Sequence, residues 1–261
     1  MKKKVWQVVW GLKDGGAEIL AREYAKLVDA QDFEPTIVTM YPFTNTANYQ
    51  QAKASGLRIL SIFKRRNAVT RAVRVLLGGW CVPLMLKTLI RKHKPDAIHF
   101  NSPMAHYFVP IRKGLAGVRL LYTCHSEVSN HFFEKEESAV RQLIQDNDLQ
   151  LIALHDDMKN ELNQCFSVNN TVVIRNGVDL QRFREVTLNK EEKRESVGVP
   201  NNGYVVGHIG RFSKAKNHPF LLRVFEKILE KKPNAHLLLV GNGELQDEIK
   251  QEIEQAGIEA R

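Results

Sequence analysis

Apolar and polar positions alternate in blocks along this chain: short, nearly continuous apolar runs are each followed by longer stretches with apolar residues three and four apart. The runs at 5–10, 36–40, 57–62, 97–101, 120–124, 149–154 and 171–174 are too short for helices. Their Val, Ile and Leu content predicts strands covered on both faces, as in a parallel sheet. Between them, 17–29 places Leu20, Tyr24, Leu27 and Val28 on one helical face, and 82–93, 135–146 and 157–166 also read as helices. The expected fold class is α/β, with a complete Rossmann-like parallel-sheet domain over residues 1–185.

After that the pattern breaks and restarts. The charged segment 188–196 and the turn Pro200-Asn201-Asn202-Gly203 read as a connection, placed at 186–203. Beyond it, 204–209 and 235–240 predict strands, and 217–231 and 244–255 predict helices, the first with Leu221, Val224, Phe225 and Ile228 inward. Residues 204–261 thus hold only the first βαβα portion of a second Rossmann-like domain. Two strands and two helices offer little core, and even complete domains of about 60 residues are marginal. The expectation is a second lobe cut short.

Composition changes this picture little. With 43% apolar and 26% charged residues in 261, the chain is ordinary for a soluble globular protein. Cys81, Cys124 and Cys165 are widely spaced, without C-x-x-C or zinc-like histidine spacing, and read as reduced thiols of a cytoplasmic protein. Met1-Lys2-Lys3-Lys4 before an apolar run imitates a signal peptide. Gln7, Lys13 and Asp14 interrupt that reading, and a core strand with a solvated lysine tip fits better. The longest charge-free apolar run, 75–86, is shorter than the roughly 20 residues of a bilayer crossing, so no span is expected.

Charge placement is more informative. The net charge is +9, yet between Pro35 and Pro95 there are eleven Lys and Arg and no Asp or Glu. In that stretch Val69, Ala72, Val73, Leu76, Leu77 and Trp80 share a helical stripe, with Arg71 and Arg74 expected on the opposite side. Either the apolar side packs on its own domain, or residues 58–94 dock on an anionic membrane surface, where each basic residue contributes about 1 kcal/mol. Nucleic acid is not expected as a partner, because no aromatics are interleaved with the basic residues and no recognition motif is present.

Two glycine-bearing corners carry the candidate chemistry. Gly15-Gly16-Ala17-Glu18 and Gly210-Arg211-Phe212-Ser213-Lys214-Ala215-Lys216-Asn217 each join a strand to a helix, where free backbone N–H groups and the helix dipole favour anions. Arg211 and Lys216 add two cations suited to a diphosphate.

Gly210-Arg211 followed by Lys216-Asn217 resembles the G-R-(x)4-K-N signature of the retaining GT-B glycosyltransferases of family 4. Further motifs resemble that family in the right order: the Gly15-Gly16 loop, Pro95-Asp96-Ala97-Ile98-His99-Phe100-Asn101, Tyr122-Thr123-Cys124-His125-Ser126, Arg175-Asn176-Gly177-Val178-Asp179 with Phe183, and Val240-Gly241-Asn242-Gly243-Glu244. Arg175 departs from the family's proline. The resemblance implies transfer of a sugar with retention from a UDP- or GDP-linked donor, with no metal and no other cofactor. Carried over, Arg211 and Lys216 would bind the donor diphosphate and neutralise the leaving group, and His125 would hydrogen-bond the donor sugar. Gly15, Gly16, Gly210, Gly241 and Gly243 would let the backbone approach the ligand. His99 reads as a buried, hydrogen-bonded strand residue, and Asn176 and Asp179 as shaping the crossover. Glu244 and Glu252 stand at the family's Glu-x7-Glu spacing but too early in the chain, and read as solvated positions on a helix.

The implied acceptor is a lipid-linked saccharide of cell-surface polysaccharide synthesis, handled by a cytoplasmic protein peripheral to the inner face of the membrane. The alternative is an inactive remnant that serves as a membrane-associated interaction module. Another GT-B enzyme, such as a nucleotide-sugar epimerase, is disfavoured by the Arg211–Lys216 spacing.

Overall fold

A computed structural model describes residues 2–28, 30–178, 180, 184 and 189–259. The chain divides into two compact units, Met1–Gly177 and Val178–Arg261.

The first unit is built on seven parallel strands: β1 Lys3–Val9, β2 Phe33–Thr39, β3 Arg58–Ser61, β4 Ala97–Phe100, β5 Arg119–Thr123, β6 Gln150–Ala153 and β7 Val172–Val173. Their order is β3-β2-β1-β4-β5-β6-β7, so the winding reverses between β1 and β4. Open α/β sheets bind ligands at such a reversal, beyond the carboxyl ends of the strands. Side chains along β1 alternate between two cores. Trp6 and Val8 join one with Ile98, Phe100, Leu120 and Tyr122; Val9 joins the other with Ile37, Ala21 and Ala25. The apolar amino-terminal run is therefore a central strand. The lysines beside it lie at its exposed end.

Helix α1 (Gly16–Leu27) covers one face with α2 (Ala47–Ala54). The sequence pattern did not announce α2, whose mark is Thr46, an N-cap accepting from the Tyr49 N–H at 3.2 Å. The other face carries α3 (Ala68–His93), a 3₁₀ run through Val109–Leu115, α4 (Val128–His131), α5 (Glu134–Asn147) and α6 (Asp156–Phe166).

Helix α3 corrects two expectations. The stripe at 69–80 and the helix at 82–93 are one helix of 26 residues, opened by a reciprocal capping box between Asn67 and Thr70. Among the described residues it is the one helix long and apolar enough, by length and composition, to cross a membrane. Counting only the charge-free run missed this, because the helix continues through Arg74 and Lys87. Its inner side is committed to the first unit, with Val82, Leu86 and Ile90 in the core. Its orientation also differs from the one expected. Arg74 turns inward over the ring of Trp10, 5.1 Å from the centroid. Leu76 and Trp80 face out, 78% and 80% exposed.

The second unit contains α7 (Lys190–Ser196), β8 (Tyr204–Ile209), α8 (His218–Lys231), β9 (Ala235–Val240) and α9 (Gln246–Gln255), with β8 and β9 parallel and in register over six residues each. The segment 186–203, expected as a connection, thus carries a helix. Asn189 and Glu192 close a capping box at its start, and Arg194 donates from Nη1 to the carbonyls of Pro200, Asn201 and Gly203 at 2.8–2.9 Å. The expected boundary at 185/186 lies outside the described residues, as do Asp179 and Phe183. Among the described residues of this unit, Phe212, Leu222, Phe225, Ala235 and Ile249 are the buried apolar side chains.

Candidate active site

The carboxyl ends of β1, β4 and β5 hold a polar chain. Gln7, on β1, accepts at Oε1 from Asn101 Nδ2 at 2.7 Å, and Asn101 Oδ1 lies 3.2 Å from His125 Nε2. With Asn101 Nδ2 spent on Gln7, Oδ1 is an acceptor and His125 donates from Nε2. The other ring nitrogen, Nδ1, is then a lone-pair acceptor. It is buried with no hydrogen-bond partner among the described residues. Burial, assisted by the nearby His131, lowers the His125 pKa to about 4, so the ring is neutral near pH 7. The imidazole is thus neutral, with one fixed donor and one unpartnered, buried acceptor.

His99 behaves as its mid-strand position predicts. It is buried, bonded through Nε2 to Thr123 Oγ1 at 2.7 Å, and burial pushes its pKa to about 3. Asn176, from the crossover motif, accepts from the Tyr24 hydroxyl at 3.2 Å.

Gly15 is the N-cap of α1 and Gly16 its first residue, with no side chain capping the helix. Neither has positive φ. A Cβ on Gly16 would meet nothing within 4 Å, whereas one on Gly15 would meet the carboxylate of Glu18. The space beside Gly16 is open, whereas the Glu18 carboxylate already lies beside Gly15 at the helix N-terminus.

In the second unit the Gly210–Lys216 turn is zipped to the turn after β9: Gly210 N donates to Val240 O at 3.0 Å, Phe212 N to Asn242 O at 2.8 Å and Leu245 N to Phe212 O at 3.1 Å. This explains Gly241 and Gly243. A Cβ on Gly241 would lie 1.9 Å from Gly210 O, and one on Gly243 would lie 2.2 Å from Phe212 O. Both glycines serve backbone packing between turns. Asn217 caps α8 at φ 48°, a left-handed position that asparagine tolerates well. Lys216 is exposed. Arg211 is exposed too, and it is not free: Glu244 holds it at 3.0 Å. Glu244 sits in the turn before α9 rather than on the helix, and it is solvent-exposed, as its sequence position suggested, while pairing with Arg211.

Sequence reasoning passed over a second polar group. Glu136, fully buried, accepts from the N–H of Ala105 (2.8 Å) and of His106 (3.2 Å), from the Tyr122 hydroxyl (3.1 Å) and from His106 Nδ1 (2.5 Å). His131 extends this set from Tyr122, at 3.2 Å, to Ser126 Oγ, at 2.9 Å. In sequence Glu136 lies among Glu134, Lys135 and Glu137 and looks solvated. No linear signal separates it from them.

The family model for glycosyltransferase family 4 matches residues 14–182, and that for glycosyl transferases group 1 matches residues 189–261. The chain belongs to glycosyltransferase family 4. This family 4 chain is 25% identical over 98% of its length to EpsF of Bacillus subtilis (strain 168), named as a glycosyltransferase, and covers 66% of that protein. It is 27% identical over 64% of its length to the UDP-Gal:alpha-D-GlcNAc-diphosphoundecaprenol alpha-1,3-galactosyltransferase of Escherichia coli, covering 46% of it. Among solved structures, Anabaena Alr3699/HepE in complex with UDP and glucose superposes with a TM-score of 0.74 at 21% identity, over 99% of this chain and 68% of the other. The glycosyltransferase from Rickettsia africae ESF-5 gives 0.73 at 17% identity, over 98% and 66%. The family 4 chain thus spans two thirds or less of the curated relatives' length, and its fold is the GT-B type, with two Rossmann-like units.

Proposed function

We propose that this protein is a retaining glycosyltransferase that moves a sugar from a UDP- or GDP-linked donor, without a metal ion, to a lipid-linked saccharide in cell-surface polysaccharide synthesis. The carrying observation is the buried, unpartnered Nδ1 of a neutral His125, held by Asn101 and Gln7 at the carboxyl edge of the sheet. In this reading Nδ1 accepts a hydroxyl of the donor sugar. Arg211 and Lys216 draw the diphosphate to the β8–α8 turn and offset the charge that grows on it as the glycosidic bond breaks, an effect worth most where water is excluded. The backbone at Gly15 and Gly16, in the same reading, approaches a phosphate or the acceptor.

The names of the relatives support the substrate classes: the Anabaena protein is described with UDP and glucose, and the Escherichia coli enzyme acts on a lipid diphosphate acceptor. The outer face of α3 supports attachment to an anionic membrane on its cytoplasmic side. Val69, Val75, Leu76 and Trp80 are exposed there, in a stretch with eleven cations and no acid.

Titration of the chain with UDP and UDP-sugars, followed by a transfer assay, tests the reading. His125→Ala should lower turnover about 100-fold, as loss of a positioned polar group does, and leave UDP affinity within about twofold. Arg211→Ala with Lys216→Ala should remove UDP binding. Vesicle binding by a chain that takes up no nucleotide would favour the interaction module instead.

A further inference from the structure

A cavity of about 590 Å³ opens in the first unit beside the reversal of the sheet, between the residues that follow β1 and those that follow β4. Its composition is distinctive. Trp10 and Phe133 offer aromatic surface, Lys13 and Arg74 bring two cations, and His106 contributes an imidazole. Among the described residues neither cation forms an ion pair. Arg74 reaches in from α3, lies over Trp10, and keeps a buried Nε with no hydrogen-bond partner among the described residues. His106 is fixed: its Nδ1 donates to the fully buried Glu136, which leaves Nε2 as the ring's remaining polar atom. Glu18 also lines the cavity and lies within electrostatic reach of Lys13, so an anion there competes with this carboxylate for the lysine.

We propose that this cavity is a subsite for a sugar phosphate, with the phosphate on Arg74 and Lys13, a sugar hydroxyl on His106 Nε2, and the ring against Trp10 and Phe133. Each part matches one requirement. A planar guanidinium and an ammonium bind phosphate oxygens, and aromatic walls with a few fixed polar groups are the usual make-up of a small-molecule pocket. The subsite deepens the glycosyltransferase reading and rests on it for one point, that the bound sugar phosphate is the head of the acceptor.

The test is a chemical-shift titration of the Trp and His side chains with N-acetylglucosamine 1-phosphate, N-acetylglucosamine and inorganic phosphate, beside a UDP titration. The sugar phosphate should bind at least about tenfold more tightly than either fragment, a difference set by joining two contacts in one ligand. Arg74→Gln should weaken it about tenfold. His106→Gln should weaken the sugar phosphate and leave inorganic phosphate unchanged, and neither variant should alter UDP affinity. If Arg74→Gln unfolds, the exposed Lys13→Gln carries the charge test. Equal affinity for N-acetylglucosamine with and without its phosphate, or full affinity in both charge variants, overturns the subsite. Loss of UDP binding with an intact sugar phosphate response would instead overturn the donor reading and leave the subsite standing.

Discussion

The guanidinium of Arg211 is clasped by the carboxylate of Glu244, Nη2 to Oε2 at 3.0 Å and Nε to Oε2 at 3.1 Å. The partners come from the two β–α turns of the second unit. Under the proposed function a donor diphosphate competes with this carboxylate for the guanidinium.

Glu244→Gln should therefore tighten UDP binding about two- to fivefold at low salt, with the gain fading at high ionic strength, as for exposed charges generally. The melting temperature should not move, because both side chains are solvent-exposed. The Glu244 carboxyl is held below its usual 4.5 by its own backbone N–H, with help from Arg211. A lowered carboxyl pKa keeps the pair intact at neutral pH and loses it as pH falls through the folded value. The difference between wild type and variant should accordingly vanish in acid well below pH 4.5.

Acid stability should report the depressed histidines, His99 and His125 foremost. His99 and His125 fall from 6.5 to about 3 and about 4 on folding, so the unfolded chain takes up protons that the folded chain resists. The sign follows: no effect above pH 6.5, then progressive destabilisation as pH falls toward 4. Thermal melts between pH 7 and pH 4 should show this loss, and His99→Gln, which retains a partner for Thr123, should lessen its slope.

Glycine substitutions should separate packing from ligand approach. Gly241→Ala and Gly243→Ala meet backbone oxygens at 1.9 and 2.2 Å, and overpacking of this kind costs about 1–3 kcal/mol or more. Gly16→Ala meets nothing and should leave the melting temperature unchanged. If a phosphate or acceptor group passes against α1, Gly16→Ala should still reduce ligand affinity in the same titrations.

The outer face of α3 should partition onto anionic vesicles. Leu76→Ser with Trp80→Ser removes exposed apolar surface, so folding should be unaffected while co-sedimentation with phosphatidylglycerol vesicles drops at least about tenfold. Arg71→Gln with Lys87→Gln should weaken binding further, by about 1 kcal/mol per charge, and only for anionic vesicles. Equal binding to neutral vesicles in every variant would exclude the electrostatic part.

Much of the fold was legible because parallel strands buried on both faces leave continuous apolar runs. Seven runs became seven strands, with ends displaced by one to three residues at most of them. Helices α2 and α7 escaped because each is short and is defined by a cap, Thr46 in one and the Asn189–Glu192 box in the other, rather than by an apolar stripe. The orientation of α3 escaped for a different reason. A helix with apolar residues on several sides does not say which side meets the core, and the sheet selected the side bearing Val82, Leu86 and Ile90.

The family, the strand-to-helix corners and the candidates His125, Arg211 and Lys216 could be read from the sequence by itself, because spacing along a turn is a local property. The pairing of Arg211 with Glu244, the inward turn of Arg74 and the burial of Glu136 beneath His106 were decided only by tertiary structure. Each joins residues about 30 to 65 positions apart, or sets one acidic residue apart from identical neighbours. Burial and charge pairing depend on which elements stack, and no local pattern encodes that.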